Sequence, residues 1–265
     1  MSSTTTVGAT AMTTPAGRML SLARAELTLL ARSKGTLFAA LFVPMVLPLS
    51  VASAVDEAEL KEAGLSVGTM LLPSSIGFSL IFAVYGSLIG VFVARREELV
   101  LKRLRTGELR DHEILLGAAT PAVAIGLAQS VALCLGCVVF LDAGAPGAVH
   151  YAVLGVLLGT VMFGALAAVT ASFSRTSETA QVMSMPLIFL SMLGSGLVIP
   201  FEVMPDGLAS VAERLPLSPV IQLVRGGWTG SLSAGDAFDA AVTAVAWTLV
   251  AVFAVRRWFR WEPRH

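Results

Sequence analysis

Residue types able to do chemistry are few in this chain and poorly placed for it. Its three lysines stand in the pairs Lys34-Gly35, Lys61-Glu62 and Lys102-Arg103. A phosphate loop needs a lysine followed by Ser or Thr, whose hydroxyl reaches the magnesium of the nucleotide. None of the three qualifies, so the chain has no ATP site of that kind. The histidines, His112, His150 and His265, fall in loops or at the edges of apolar runs, and no HExxH occurs. A zinc hydrolase, or a serine hydrolase with a histidine base, therefore has no candidate inside an apolar segment. Ser195, in Gly194-Ser195-Gly196, has the small neighbours of a nucleophile and no histidine to activate it. Cys134 and Cys137 sit within the apolar run Val131 to Leu141, where a metal or redox centre would lack polar support. At i,i+3 they read as small packing residues.

The elements that carry these residues are membrane spans. Of 265 residues, 55% are hydrophobic and 14% charged, and the mean hydropathy of +0.80 lies outside the soluble range. Eighteen Lys and Arg balance eighteen Asp and Glu, so the chain lacks the basic excess of a nucleic-acid binder. A span needs about 20 apolar residues to cross a core of about 30 Å. Six such runs appear, at about Thr36 to Val55, Met70 to Ala94, Ile114 to Leu141, Val149 to Ala171, Gln181 to Pro200 and Ala237 to Val255. The sixth is the weakest, with Asp239 at its edge. None has an ionisable residue in its core, although a coupling site for protons or ions accepts a cost of about 2.5 to 3.5 kcal/mol to place one there. Gln129 and Gln181 are the largest polar side chains near or within the spans and suit interhelical hydrogen bonds. Gly86 with Gly90, and Gly155 with Gly159, have the spacing for close helix packing within the chain.

Residues 1–17 form a Ser/Thr/Gly/Ala tract without Lys or Arg, read as a disordered tail rather than a cleavable signal. From Arg18 to Lys34, Leu20, Ala23, Leu27 and Leu30 share one helical face opposite Arg18, Ser21, Thr28 and Arg32, the pattern of an amphipathic helix lying at the membrane surface. Of the eighteen basic residues all but Lys61, Arg214 and Arg225 fall on one side of the six runs. The positive-inside rule makes that side, with both termini, cytoplasmic. Trp258 and Trp261, interleaved with arginines, suit an interfacial anchor there.

Two segments outside the spans carry most information. On the cytoplasmic side, Arg95 to Glu113 places Val100, Leu101 and Leu104 on one helical face, with Glu98 and Lys102 at the favourable i,i+4 offset, and predicts a short amphipathic helix bounded by Gly107. On the other side, Ile199 to Gly230 is too apolar for a bare connector. Pro205 and Asp206 should start a short helix there and Pro216 and Pro219 stop one, giving a segment folded into the outer leaflet or over the spans.

Six runs, an amphipathic N-terminal helix, LKRLRTGEL after the second run and IPFEVMP...RLPLSPVIQLVRGGWTG before the sixth together resemble the type-2 ABC exporter permeases, a group that includes daunorubicin-resistance permeases. The resemblance covers nearly all of the chain beyond residue 17 and implies an all-α polytopic membrane protein. Its six transmembrane helices would be joined by an N-terminal interfacial helix, a cytoplasmic coupling helix and an extracytoplasmic re-entrant helical hairpin in one permease domain, 18–265. The resemblance places the coupling helix that docks on a separate ATPase at Glu97, Glu98, Leu101, Lys102, Arg103, Leu104 and Arg105. Family members often continue Thr-Pro-Leu where this chain has Thr106-Gly107-Glu108-Leu109. The hairpin maps to Pro200 to Gly230, with Pro200, Phe201, Pro205, Pro216 and Arg225, and a gating role is expected of it. The implied unit has two permease chains, alike or homologous, and two ATPase subunits, with ATP and magnesium on the ATPase and no cofactor in this chain. The expected activity is non-enzymatic: efflux of a hydrophobic or amphiphilic drug, antibiotic or lipid across the cell membrane. A self-sufficient secondary transporter or channel, or a membrane assembly subunit that transports nothing, is the alternative.

Overall fold

The computed structural model describes residues 67–106, 110–141, 143–197, 205–259 and 261, preceded by Gly17, Ser21, Arg24, Ala25, Thr28, Val46 and Ser50. Those seven are helical and exposed; the expected tail, most of the interfacial helix and most of the first span lie outside the described residues. Among the described residues every regular element is a helix.

An apolar segment in lipid must satisfy its own backbone, and the helix does this within the segment. The first described span is one continuous rod in three parts: α1 (Val67–Ser79), a π-helical stretch (Leu80–Gly86) and α2 (Ser87–Glu97). In the π-helical part the winding loosens to i→i+5, and the Ser87 hydroxyl donates to the carbonyl of Phe82, five residues back, at 3.2 Å. This rod is the core of the molecule: Leu72, Leu80, Ala83, Val84, Tyr85, Leu88 and Val93 have no exposed surface. A short α3 (Val100–Arg105) follows, then α4 (Asp111–Phe140), α5 (Val149–Phe173), α6 (Ser177–Gly194), α7 (Asp206–Ala212), α8 (Ser218–Thr229) and α9 (Ala234–Trp258).

Four helical stretches among the described residues are long and apolar enough to cross a membrane: Gly68–Glu97, α4, α5 and α9. They correspond to the second, third, fourth and sixth expected spans. The fifth, expected from Gln181 to Pro200, is only partly realised. Helix α6 has 18 residues, begins with Ser177, Glu178 and Thr179, and closes at Gly194, just before Gly196 takes a positive φ of 72°. It reaches only about 27 Å. Of the six expected helices, the described residues therefore hold four apolar spans and one shorter helix.

Small residues decide the packing. Ala237, Ala240, Ala244, Ala251 and Ala254 of α9 are buried, while Phe238, Val242, Leu249, Val250 and Phe253 on its other side are exposed. That is the division expected of a helix with one face on protein and the other on lipid. Its N-terminus is capped by the Ser233 hydroxyl, which accepts from the Asp236 amide at 3.1 Å, and α6 is capped likewise by Thr176 on the Thr179 amide at 3.2 Å. Each cap contributes about 1 kcal/mol. Gln129 is buried and its carbonyl oxygen accepts from the Ser79 hydroxyl at 3.1 Å, an interhelical bond of the expected kind. Gln181, by contrast, is exposed on α6. Cys134 and Cys137 are unbridged, with Cys137 in the main apolar core and Cys134 packed against it.

Candidate functional site

At the end of the bundle where basic residues gather, α2 stops and the chain turns sharply into α3. Leu99 makes the turn with φ 59° and ψ 14°, and is the one non-glycine with positive φ among the described residues. A left-handed leucine costs about 1 to 2 kcal/mol, a strain that persists only where surrounding contacts hold it. Those contacts are present. The Leu99 amide donates to the Arg96 carbonyl at 3.0 Å and its own carbonyl accepts from the Arg103 amide at 3.0 Å, while Leu101, two residues on, is fully buried within the chain.

Leu101, one of the residues the resemblance places in a coupling helix, is turned into this chain and away from its surface. What α3 leaves exposed are Lys102, Arg103 and Arg105, beside a half-buried Leu104, with Glu97 and Glu98 exposed at the end of α2 and just beyond it. Helix α3 is also shorter than the predicted Arg95 to Glu113 segment, because Arg95–Glu97 belong to α2 and Asp111–Glu113 to α4. The Glu113 carboxylate accepts from the Arg110 amide at 2.8 Å and so caps α4.

Arg105 is held on two sides. Its Nε lies 3.0 Å from Oδ1 of Asp111, both groups about half exposed, and its guanidinium carbon sits 5.0 Å from the centre of the Trp261 ring. Trp261 stacks edge-on with Phe259 at 5.1 Å, and Phe259 with Phe92 at 6.4 Å. Phe259 and Trp261 therefore link α2, through Phe92, to Arg105 of α3. Trp258, half exposed, packs on Phe173 at the foot of α5, with ring centres 5.9 Å apart.

Sequence reasoning missed Arg96, which it counted only as one basic residue among many. It is 1% exposed. Its Nη1 donates to the Ala171 carbonyl at 2.8 Å and its Nη2 to the Ser174 carbonyl at 2.5 Å. The Ala171 carbonyl is one that α5 leaves without a helical partner at its C-terminus, Ser174 is the residue just beyond it, and a guanidinium there also opposes the negative end of the helix dipole. The neighbouring Glu97 accepts from the Ser177 hydroxyl at 2.8 Å, on the first residue of α6. Nothing in an Arg-Arg-Glu-Glu run marks which arginine turns inward.

At the far end, residues 205–230 form two short helices. Helix α7 starts after Pro205, as expected. Pro219, however, lies in the first turn of α8 and opens that helix rather than ending one, as the missing proline N–H allows. The break between them is made at Glu213–Leu217, including Pro216, and is tied by the Ser218 hydroxyl donating to the Ala212 carbonyl. At about 18 Å, α8 is too short to span, yet it is buried nearly all round. It lies against α5, where glycine permits the approach. A Cβ on Gly155 would come within 2.9 Å of Leu223 Cβ, and one on Gly159 within 2.7 Å of Leu80 Cδ1 and 3.0 Å of Val220. The Ala148 amide donates to Gly227 at 2.8 Å and the Gly147 amide to Trp228 at 3.0 Å, which fastens the start of α5 to the end of α8. Leu208 and Val211 of α7 are exposed, whereas Leu217 is fully buried. Arg225 is half-buried on α8; Pro200 and Phe201 lie outside the described residues.

A strained basic turn at one end and a buried short helix hairpin at the other, in an all-helical bundle of apolar spans, agree with a comparison of sequences. The model of the ABC-2 type transporter family matches residues 18–228. The chain belongs to the ABC-2 type transporter family. The protein named "Putative transport permease YvfS" of Bacillus subtilis (strain 168) is 41% identical over 78 residues, which is 28% of this chain. The chain spans 31% of the length of that curated relative. The family match bears out the resemblance to ABC-2 type transporters, and the four long apolar helices are those of a multi-pass membrane protein. Among the described residues no three His, Cys, Asp or Glu side chains come together.

Proposed function

We propose that the chain is the transmembrane subunit of an ATP-driven exporter, with α3 as the element that docks on a separate ATPase. The observation that carries this reading is the construction of α3. A helix of 6 residues is pinned from inside by Leu101 and set off by a strained Leu99, and turns Lys102, Arg103 and Arg105 outward around Leu104. Such a helix cannot stand on its own length, so its fixed pose serves what it presents. A rim of cations around one apolar residue suits an acidic-edged cleft.

In this reading the basic end and both termini are cytoplasmic, and the membrane is the cell membrane. Two permease chains, alike or homologous, work with two ATPase subunits that hold ATP and magnesium. Glu97, Glu98, Lys102, Arg103, Leu104 and Arg105 form the docking face, and Leu101 is its internal anchor. The hairpin from Pro200 to Gly230 closes the outward end until ATP turnover releases it. The exposed aliphatic faces of α4 and α9 meet lipid, and spans of that composition suit efflux of a hydrophobic or amphiphilic drug, antibiotic or lipid. The test is co-purification from membranes of the native cell followed by reconstitution in vesicles. An ATPase recovered with the chain, and flux that requires both subunits and ATP, is the expected result. Flux by the chain alone would instead make it a secondary transporter or channel.

A further inference from the structure

Three observations describe one mechanical line. The first is at the basic end, where Arg96 reaches from α2 to two carbonyls at the C-terminus of α5, Ala171 at 2.8 Å and Ser174 at 2.5 Å, while Glu97 holds Ser177 at the start of α6 at 2.8 Å. Two consecutive residues, just before the Leu99 turn into α3, thus grip both sides of the α5–α6 turn. The second concerns α5 itself. Pro73, Pro121 and Pro186 lie inside α1, α4 and α6, and the π-helical stretch interrupts the first span. Helix α5, 25 residues with no proline, has none of these sources of bending. The third is at the far end, where α5 seats α8 on Gly155 and Gly159 with no room for a methyl group.

We propose that Arg96 makes α5 the transmission rod of the permease, carrying displacement of α3 to the α7–α8 hairpin. Arg96 is a positioning residue, acting through α5. The reasoning is geometric. A planar guanidinium spans two carbonyls 3 residues apart in sequence, which the single ammonium of lysine does not. The grip is buried, so water does not compete for those carbonyls. A push on α3 that moves the end of α2 must move the foot of α5, and a helix without proline, packed to contact at its other end, passes that shift to α8. The inference rests on the proposed role of α3, and the experiment separates the two.

The test uses the full complex of this chain with the ATPase recovered with it, in vesicles. Cys134→Ala and Cys137→Ala remove the native thiols, and Ser210→Cys on exposed α7 reports the hairpin through its rate of reaction with an impermeant maleimide. In this background adding ATP should change the labelling rate. Arg96→Gln should keep the ATPase bound and its ATP turnover, while the ATP-dependent change in labelling falls by about threefold or more. Arg96→Lys, which keeps the cation and most of the volume, should give a response between the two. Loss of ATPase binding in Arg96→Gln would show a merely structural residue and overturn the inference, as would a full response in either variant. Should Arg96→Gln fail to accumulate, Arg96→Lys decides alone: a reduced response supports the rod and a full one removes it. No ATP response even without a change at Arg96, with the ATPase still bound, would remove the rod and leave the docking role of α3 standing; failure of the ATPase to bind at all would remove the docking role instead.

Discussion

The indole N–H of Trp228 donates to the backbone carbonyl of Ala143 across 2.9 Å, joining residues 85 positions apart. The bond closes the end of α8 onto the connection between α4 and α5, where Trp228 is 7% exposed. Trp228→Phe keeps most of the ring and leaves that carbonyl without its donor, so it should cost about 1 to 3 kcal/mol. A lowered thermal midpoint of the purified protein in detergent is the expected outcome; an unchanged midpoint would show that the bond contributes nothing.

The two glycine pairs separate cleanly. Gly159→Leu drives a side chain into Leu80 and Val220 and should destabilise by about 1 to 3 kcal/mol. A methyl group added at Gly90 would meet nothing within 4 Å, so Gly90→Ala should be neutral or add up to about 1 kcal/mol. Thermal unfolding of the two variants side by side tests the contrast.

On α3, position rather than residue type sets the outcome. Lys102→Glu with Arg103→Glu changes only exposed charge and should leave the thermal midpoint near its original value while the ATPase no longer co-purifies. Leu101→Asp should instead prevent stable accumulation, because it buries a carboxylate at a cost of several kcal/mol. Retention of the ATPase by the double charge reversal would remove α3 as the docking element.

Topology is open to a thiol reagent that cannot cross membranes. Thr106→Cys and Ser210→Cys stand at opposite ends and both sites are exposed. With the native cysteines removed, Ser210→Cys should label in intact cells and Thr106→Cys only after the cells are opened. The reverse pattern would invert the proposed orientation.

Within α7, the Ala209 amide donates to the Pro205 carbonyl at 2.9 Å. Ala209→Pro removes that bond in a helix of 7 residues and should cost about 3 kcal/mol locally. The protein should still insert, with its hairpin loosened, and faster maleimide labelling of Ser210→Cys in this variant is the measurable consequence.

Much of this architecture is legible in apolar runs, because a lipid core fixes helix length and leaves the backbone no alternative. Four spans are visible for that reason, and so is the start of α7 at Pro205. Pro219 misleads because proline suits both the end of one helix and the first turn of the next, and only the position of Ser218 decides between them. The inward faces are harder. Apolarity is the same on a lipid-facing leucine and on the buried Leu101, and charge is the same on the half-buried Arg95 and on the fully enclosed Arg96. Which of these turns inward depends on where the ends of α5 and α6 lie, and Ala171 is 75 positions away from Arg96 in the chain.

The π-helical stretch from Leu80 to Gly86 gives the first span a phase as well as a length. Each residue of an α-helix advances the side chains by about 100°. A span with one wider turn in its middle therefore presents its two halves at an offset that no uniform winding reproduces. Winding these same seven residues as regular α-helix would turn everything below them by one residue's rotation, about 100°, carrying Arg96 off the carbonyls of Ala171 and Ser174. Almost any apolar side chain would be chemically acceptable in this stretch, yet its residue number would not be free to change. What these seven positions store is a count.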